Sequence, residues 1–197
     1  TIRHEARVDA VGFNKVDVMR VLANSTHQAR DAVTAAYSTQ FSSEGETELQ
    51  SASLLVDATT SLDVPRAISR EGKAPRSASV FLTPNANASV LMLEDRDRAL
   101  RLDQIEPQYY RAVVNEDWGR HHLEGNLSEF WVGAGCRDIS ATISPEDIQI
   151  HSALLSRRLR SSVDVPDAAL LVHHTETDGL IRSLRTSLRP SWRREFG

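Results

Sequence analysis

The feature that most constrains the fold is a short apolar segment that ends in an acid. Residues 53–57, SLLVD, are too few for a helix, and their apolar character with a terminal Asp57 is typical of a buried parallel strand. Residues 63–71 follow as a predicted helix with Pro65 in its first turn. A second strand pattern, SASVFLT, occupies residues 77–83. This order predicts an α/β fold.

Local patterns predict most of the remaining elements. In the first part of the chain we expect a helix beginning near Asn14, a strand or helix over 33–41, and a strand over 88–94 after a turn at 84–87. A helix over 103–118 and an irregular stretch over 119–142 are expected next. The last part should contain a helix opened by the Ser144 cap and Pro145, followed by a β-hairpin through the Asp178-Gly179 turn. The sheet that these strands build is expected to be mixed. Long irregular stretches inside compact domains are usually functional.

Composition excludes several classes of protein. The net charge of −4 provides no basic face for nucleic acid, so we expect no nucleic-acid partner. No apolar run approaches the ~18 residues of a membrane span, so we expect no membrane association. The single cysteine excludes an internal disulfide and a four-cysteine zinc site. These properties are typical of a cytoplasmic protein.

Asp57 is the strongest candidate for chemistry. Ligands of open α/β sheets bind beyond the carboxyl ends of strands, and carboxylate oxygens suit magnesium. The alternative is that Asp57 only caps the turn after its strand, with Thr59. Lys15, in the segment GFNK, is placed to reach a nucleotide phosphate as a point charge. Arg3 and Arg66 are further candidates, and each of the three cations is alternatively a solvated surface residue.

Cys136 lies in the segment GAGCR, where flexible flanking residues leave the thiol accessible and Arg137 would favour the reactive thiolate. The alternative is a small residue buried in a tight turn. Two histidine pairs, at 121–122 and 173–174, lack the spacing of a known metal site, and we interpret them as structural.

Taken together, Arg3-His4, then Gly12-x-x-Lys15, then LLVDATTSLDVPR resemble the second half of a known domain. It is the adenylating domain of ubiquitin-activating enzymes and of the bacterial sulfur-carrier adenylyltransferases. The family has an Asn-Leu-x-Arg segment, a Gly-x-x-Lys that opens a helix and a strand that ends in Asp-x-Thr. The resemblance covers residues 1–94 and implies a Rossmann-like core. It also implies that Arg3, Lys15, Asp57 and Arg66 contact ATP, with Asp57 holding magnesium.

The sequence departs from the family in three places. Ser61 stands where the family often has Asn, and the first motif's asparagine would fall before Thr1. The glycine-rich nucleotide loop, which precedes that motif, would lie in a missing N-terminal segment. We therefore expect this chain alone to show no ATP–pyrophosphate exchange.

The second half is more similar to bacterial fusions of ubiquitin-conjugating and ubiquitin-activating domains, found in anti-phage (CBASS-type) operons. That likeness implies antiviral defence, a homodimer, and a thioester formed on Cys136. The three parts are then a C-terminal piece of the adenylation core (1–94), a helix and glycine-rich loop bearing Cys136 (95–143), and a helix plus β-hairpin (144–197).

The function implied is ATP-dependent activation of the C-terminal carboxylate of a ubiquitin-like modifier or of another protein. Two alternatives stay open. One is a non-catalytic Rossmann-like binding or dimerisation module, because half of the ATP site is not in the chain. The weaker one is a fragment of a dinucleotide-binding oxidoreductase.

Overall fold

The computed structural model describes residues 12–13, 17–19, 21, 51–59, 61–122, 129–131, 139–141 and 143–189. The chain divides into two units, Thr1–Glu48 and Leu49–Gly197. In the first unit, residues 17–19 and 21 are helical, in agreement with the helix predicted near Asn14. The strand or helix predicted over 33–41 lies outside the described residues. All the other described helices and strands belong to the second unit.

The second unit is built on a five-stranded mixed sheet. Its elements in chain order are β1 (Leu55–Asp57), α1 (Asp63–Arg70), β2 (Ser77–Leu82), β3 (Ala88–Leu93), α2 (Leu102–Asn115), a 3₁₀ helix (Asp117–His121), β4 (Glu129–Trp131), β5 (Ile139–Ala141), α3 (Pro145–Ser162), β6 (Ala169–Thr175) and β7 (Ile181–Thr186). The strand order is β1-β2-β3-β6-β7. The predicted α/β class and mixed sheet are confirmed.

One parallel pair sets the direction of the sheet. β1 and β2 run parallel, with Asp57 opposite Ser79, and α1 forms the crossover between them. The pairs β2–β3, β3–β6 and β6–β7 are antiparallel. The carboxyl ends of β1, β2 and β6 therefore point toward the same edge of the sheet.

Each face of the sheet has its own apolar cluster because side chains alternate along a strand. The α2 face carries Val90, Met92 and Val172, which pack with Ile105 and Tyr109 of α2. On the opposite face, Leu91 and Leu93 pack with Leu155 of α3. The central strand β3 is buried along its whole length, which makes it the middle of the core.

Residues 119–142, predicted to be irregular, contain regular structure. The 3₁₀ helix extends to His121, and β4 pairs antiparallel with β5 as a separate two-stranded sheet. Strands of three residues are too short to show the alternation by which a strand is recognised. The prediction of an irregular stretch is wrong at these positions.

The helix predicted from its cap is confirmed. The Ser144 hydroxyl accepts a hydrogen bond from the Asp147 amide at 3.1 Å, and Pro145 occupies the first position of α3. The terminal hairpin is also confirmed, with Gly179 at φ +82° in its turn. Within the described ranges, none of the helices combines the length and apolarity that crossing a membrane requires.

Candidate functional site

Asp57 ends β1 on the α2 face of the sheet and is only 4% exposed. Its Oδ1 accepts hydrogen bonds from the Thr59 amide at 3.1 Å and the Thr59 hydroxyl at 2.7 Å. Its Oδ2 accepts a hydrogen bond from the Ser79 hydroxyl at 2.8 Å. Three donors, two on Thr59 in the turn and one on Ser79 of β2, therefore fix the orientation of the carboxylate.

The sequence after β1 produces this arrangement through short polar side chains. An aspartate that accepts from the amide two residues later closes a tight turn, as Asp57 does with Thr59. The same relation is repeated when the Thr59 hydroxyl accepts from the Ser61 amide at 3.3 Å and the Ser61 hydroxyl accepts from the Asp63 amide at 3.2 Å. These contacts lead the chain from the end of β1 into α1.

The carboxylate is compatible with a nucleotide-bound magnesium ion. Each carboxylate oxygen has about two acceptor positions, and the described residues occupy only one of those on Oδ2 of Asp57. In the part of the chain that the structure describes, no three His, Cys, Asp or Glu side chains converge on a common point. Magnesium commonly takes one or two protein carboxylates together with phosphates and waters. The residues present thus fit a magnesium ion shared with phosphates better than an all-protein metal site.

Arg66 lies on α1 and makes a two-pronged contact with a carboxylate of α2. Its Nε and Nη2 donate to Glu106 Oε2 and Oε1 at 2.8 and 2.7 Å. The hydrogen bonds and charge of Glu106 raise the pKa of the Arg66 guanidinium. The predicted nucleotide role of Arg66 stays a prediction, and any phosphate would share this cation with Glu106.

The other predicted site residues are not part of the described structure. Arg3 and Lys15 belong to the first unit, and Cys136 lies between β4 and β5. The structure therefore does not test whether these three residues approach Asp57. Their roles stay predictions from the sequence.

A cavity of about 200 Å³ lies on the same face of the sheet, next to Asp57. The Ser79 side chain joins the two, because it lines the cavity while its hydroxyl binds Asp57. Most of the wall is apolar and comes from Leu62, Pro65, Phe81, Leu82, Pro84 and Met92. Tyr109 and His122 add polar groups to this wall.

His122 follows the 3₁₀ helix and is 2% exposed. Its Nδ1 lies 2.9 Å from the Tyr109 hydroxyl, whereas its Nε2 has no hydrogen-bond partner within the described part of the chain. Burial, and secondarily the neighbouring His174, lower the pKa of His122 to about 4, so the ring is neutral at pH 7. An unpaired buried nitrogen beside a cavity is a feature that the sequence interpretation of His122 as structural did not anticipate.

The buried histidines on the other face also contact hydroxyl groups, and Nε2 of His173, like that of His122, has no hydrogen-bond partner among the described residues. His151 lies between the hydroxyls of Ser89, at 3.0 Å, and Thr175, at 3.2 Å. His173 is fully buried, and its Nδ1 lies 2.9 Å from the Ser183 hydroxyl. Both bind residues of the sheet beneath α3, and neither lines the cavity next to Asp57.

Comparison with known proteins assigns no family to the chain. No protein-family model matches it, and no curated protein matches it significantly. The functional interpretation therefore depends on the geometry around Asp57 and on the ordered sequence motifs.

Proposed function

We propose that this chain is part of an ATP-dependent enzyme that activates the C-terminal carboxylate of a ubiquitin-like protein or a comparable modifier target. The observation that carries the proposal is Asp57, a buried and oriented carboxylate at the carboxyl end of a parallel strand, with one acceptor position on Oδ2 that no described residue occupies. That is where α/β sheets bind ligands. The order of Arg3, Lys15 and Asp57 in the sequence, which resembles that of the adenylating domain, supports it.

The proposed chemistry has two steps. A substrate carboxylate oxygen attacks the α-phosphorus of ATP, an acyl-adenylate forms and pyrophosphate leaves. The Cys136 thiolate then attacks the acyl carbon, the bond to AMP breaks, and AMP leaves with the electron pair while a thioester forms. Arg3 and Lys15 offset the charge that develops on the phosphates. Magnesium, when bound, neutralises phosphate charge beside Asp57.

Labelled pyrophosphate exchange into ATP tests the first step. The whole gene product should exchange pyrophosphate when it is given its carboxylate substrate, and Asp57→Asn should reduce the rate by at least 100-fold. An unchanged rate in Asp57→Asn would remove Asp57 from the site. The second step predicts an adduct that dithiothreitol releases and Cys136→Ser abolishes, and an adduct that survives this substitution contradicts the role of Cys136.

The second candidate is a non-catalytic binding or dimerisation module with the same fold. The contacts of Arg66 favour this candidate. Its side chain is 42% exposed, but its guanidinium is already held by Glu106 in a bidentate ion pair, so a phosphate would have to share the cation with Glu106. This candidate predicts that the whole gene product neither binds Mg·ATP nor exchanges pyrophosphate. A homodimer is expected under both candidates, so oligomeric state does not separate them.

A further inference from the structure

The cavity next to Asp57 is lined by a hydrogen-bond donor that no described residue pairs with. If the Tyr109 hydroxyl donates to His122 Nδ1, the proton of the neutral ring is on Nε2, and only that donor is left unpaired. The opposite arrangement would leave both the tyrosine proton and the Nε2 lone pair unpaired. Burial also raises the pKa of Tyr109, which keeps the hydroxyl protonated. The first tautomer has the lower cost, and it leaves an Nε2–H group to be satisfied.

The shape and lining of the cavity limit what can satisfy this donor. At about 200 Å³ it is smaller than the ~300–1,000 Å³ of sites that hold drug-sized ligands, so it cannot contain a whole nucleotide. A hydrocarbon group of roughly one side chain would bind favourably against its apolar wall, because apolar surface of both is removed from water. The ligand must therefore combine one small apolar group with one hydrogen-bond acceptor.

The charges around the cavity favour a neutral acceptor. Glu106 lines the cavity, and its counter-ion Arg66 is already bound to both of its oxygens. His122 adds no positive charge at pH 7. An anion in the cavity would thus have no free cation among the described lining residues, whereas an amide carbonyl needs only the donor that His122 supplies.

We propose that this cavity is a specificity pocket for a peptide substrate, in which an apolar side chain fills the wall of Leu62, Pro65, Phe81 and Met92 and the adjoining amide carbonyl accepts from His122 Nε2. This inference rests on the proposed function. Ser79 connects the pocket to Asp57, so a residue bound in the pocket would lie near the C-terminal carboxylate of the substrate that the enzyme activates. The substrate accordingly carries an apolar residue such as leucine near its C-terminus, and a glycine-only tail is a poor substrate.

Binding of two neutral probes measures this directly. N-acetyl-leucinamide supplies the apolar group and the carbonyl, whereas N-acetylglycinamide supplies the carbonyl alone. In ¹H–¹⁵N NMR spectra of the imidazole groups, we expect the leucine probe to shift the His122 ring signals and to bind at least tenfold more tightly than the glycine probe. No shift of the His122 signals, or equal affinity for the two probes, overturns the pocket.

Two tryptophan variants provide a matched pair. Leu62 borders the cavity and is 42% exposed, so Leu62→Trp narrows its entrance without entering the core. Ile150 on α3 is similarly exposed at 50% and lies on the other side of the sheet. Leu62→Trp should weaken the leucine probe at least tenfold and Ile150→Trp should leave it unchanged; equal effects contradict the proposal. The His122 signals are assigned by their loss in His122→Phe. If His122→Phe does not fold, they are assigned by their displacement in Tyr109→Phe.

The outcomes separate the pocket from the proposed function. If the leucine probe leaves His122 unshifted while Asp57→Asn abolishes Mg·ATP binding, the pocket is wrong and the proposed function stands. If the probe binds at His122 but the whole gene product does not bind Mg·ATP, the proposed function fails and the cavity is a peptide-binding site of the non-catalytic module.

Discussion

Two buried carboxylates of this sheet, Glu94 and Asp57, have opposite surroundings. Glu94 follows β3 at the edge where β2 begins and is fully buried. It accepts from the Ser77 amide at 3.1 Å, the Leu102 amide at 3.1 Å and Arg98 Nε at 2.8 Å. Burial raises the pKa of Glu94, and the contact with Arg98 acts in the opposite direction.

Arg98 completes the Glu94 network by donating to backbone carbonyls of Ile68, Glu71 and Ala74, around the end of α1. Asp57, by contrast, receives hydroxyl and amide donors only, and within the described ranges no arginine or lysine pairs with it. The carboxylate with its own counter-ion holds elements together. The one with no counter-ion among the described residues is available to a cation from outside the protein, which is why we propose a functional role for Asp57.

The largest effect is expected at Glu94. Replacing it by alanine leaves the Arg98 guanidinium buried without its counter-ion and frees two backbone amides, so we expect a loss of about 3–5 kcal/mol in the free energy of unfolding. Urea denaturation measures this loss. Asp97→Ala, at an exposed position in the same loop, should change stability by less than about 0.5 kcal/mol. Similar losses for the two variants would show that the network is not structural.

The next effect is acid sensitivity, which both faces of the sheet share. Burial lowers the pKa of His122 to about 4, and burial with the neighbouring Arg158 and His151 lowers that of His173 to about 4. The unfolded chain takes up these protons below pH ~6.5, whereas the folded protein does not. The contribution of these two histidines to stability is therefore constant above that pH and is lost as the pH falls from ~6.5 to about 4.

Between pH 7 and pH 5 the loss should be about 2 kcal/mol for each of these histidines. Urea denaturation over this range checks it, and His173→Gln should make the loss smaller. Stability that stays constant from pH 7 to pH 5 would contradict the neutral, buried state of both rings.

The smallest stability effect is expected at Asp57, where the effect on function is largest. In Asp57→Asn, the side-chain oxygen still accepts from Thr59 and the amide group can donate to Ser79, so the free energy of unfolding should fall by no more than about 1 kcal/mol. Thermal unfolding of the two proteins measures it. A loss similar to that of Glu94→Ala would mean that Asp57, too, is mainly structural.

Local signals in the sequence were sufficient for much of this fold. β1, α1 and α3 were predicted from an apolar run, a proline in a first helical turn and a serine cap, because each signal acts within a few residues. The antiparallel pairing of β3 with β6 joins residues about 80 positions apart, as Leu91 and Leu171 show, and no local pattern encodes such a contact.

The candidate site was predictable only in part. Asp57 was found because an acid at the end of an apolar strand is visible in the sequence. His122 was not, since its value as a donor depends on a cavity shared with Phe81 and Met92 of two different strands. The Arg66–Glu106 pair likewise depends on how α1 and α2 pack, over a separation of 40 residues. Tertiary contacts, rather than composition, define these groups.

Calorimetric titration of Mg·ATP into the whole gene product tests the central claim most directly. Asp57→Asn should abolish binding. The matched control is Asp95→Asn, because Asp95 lies just after the end of β3, at the opposite edge of the sheet, and its carboxylate accepts from the backbone amides of Ala99 and Leu100. That variant should bind with unchanged affinity. Equal binding by the wild type and Asp57→Asn, or equal losses in the two variants, would contradict the assignment of function to the carboxyl edge of the sheet.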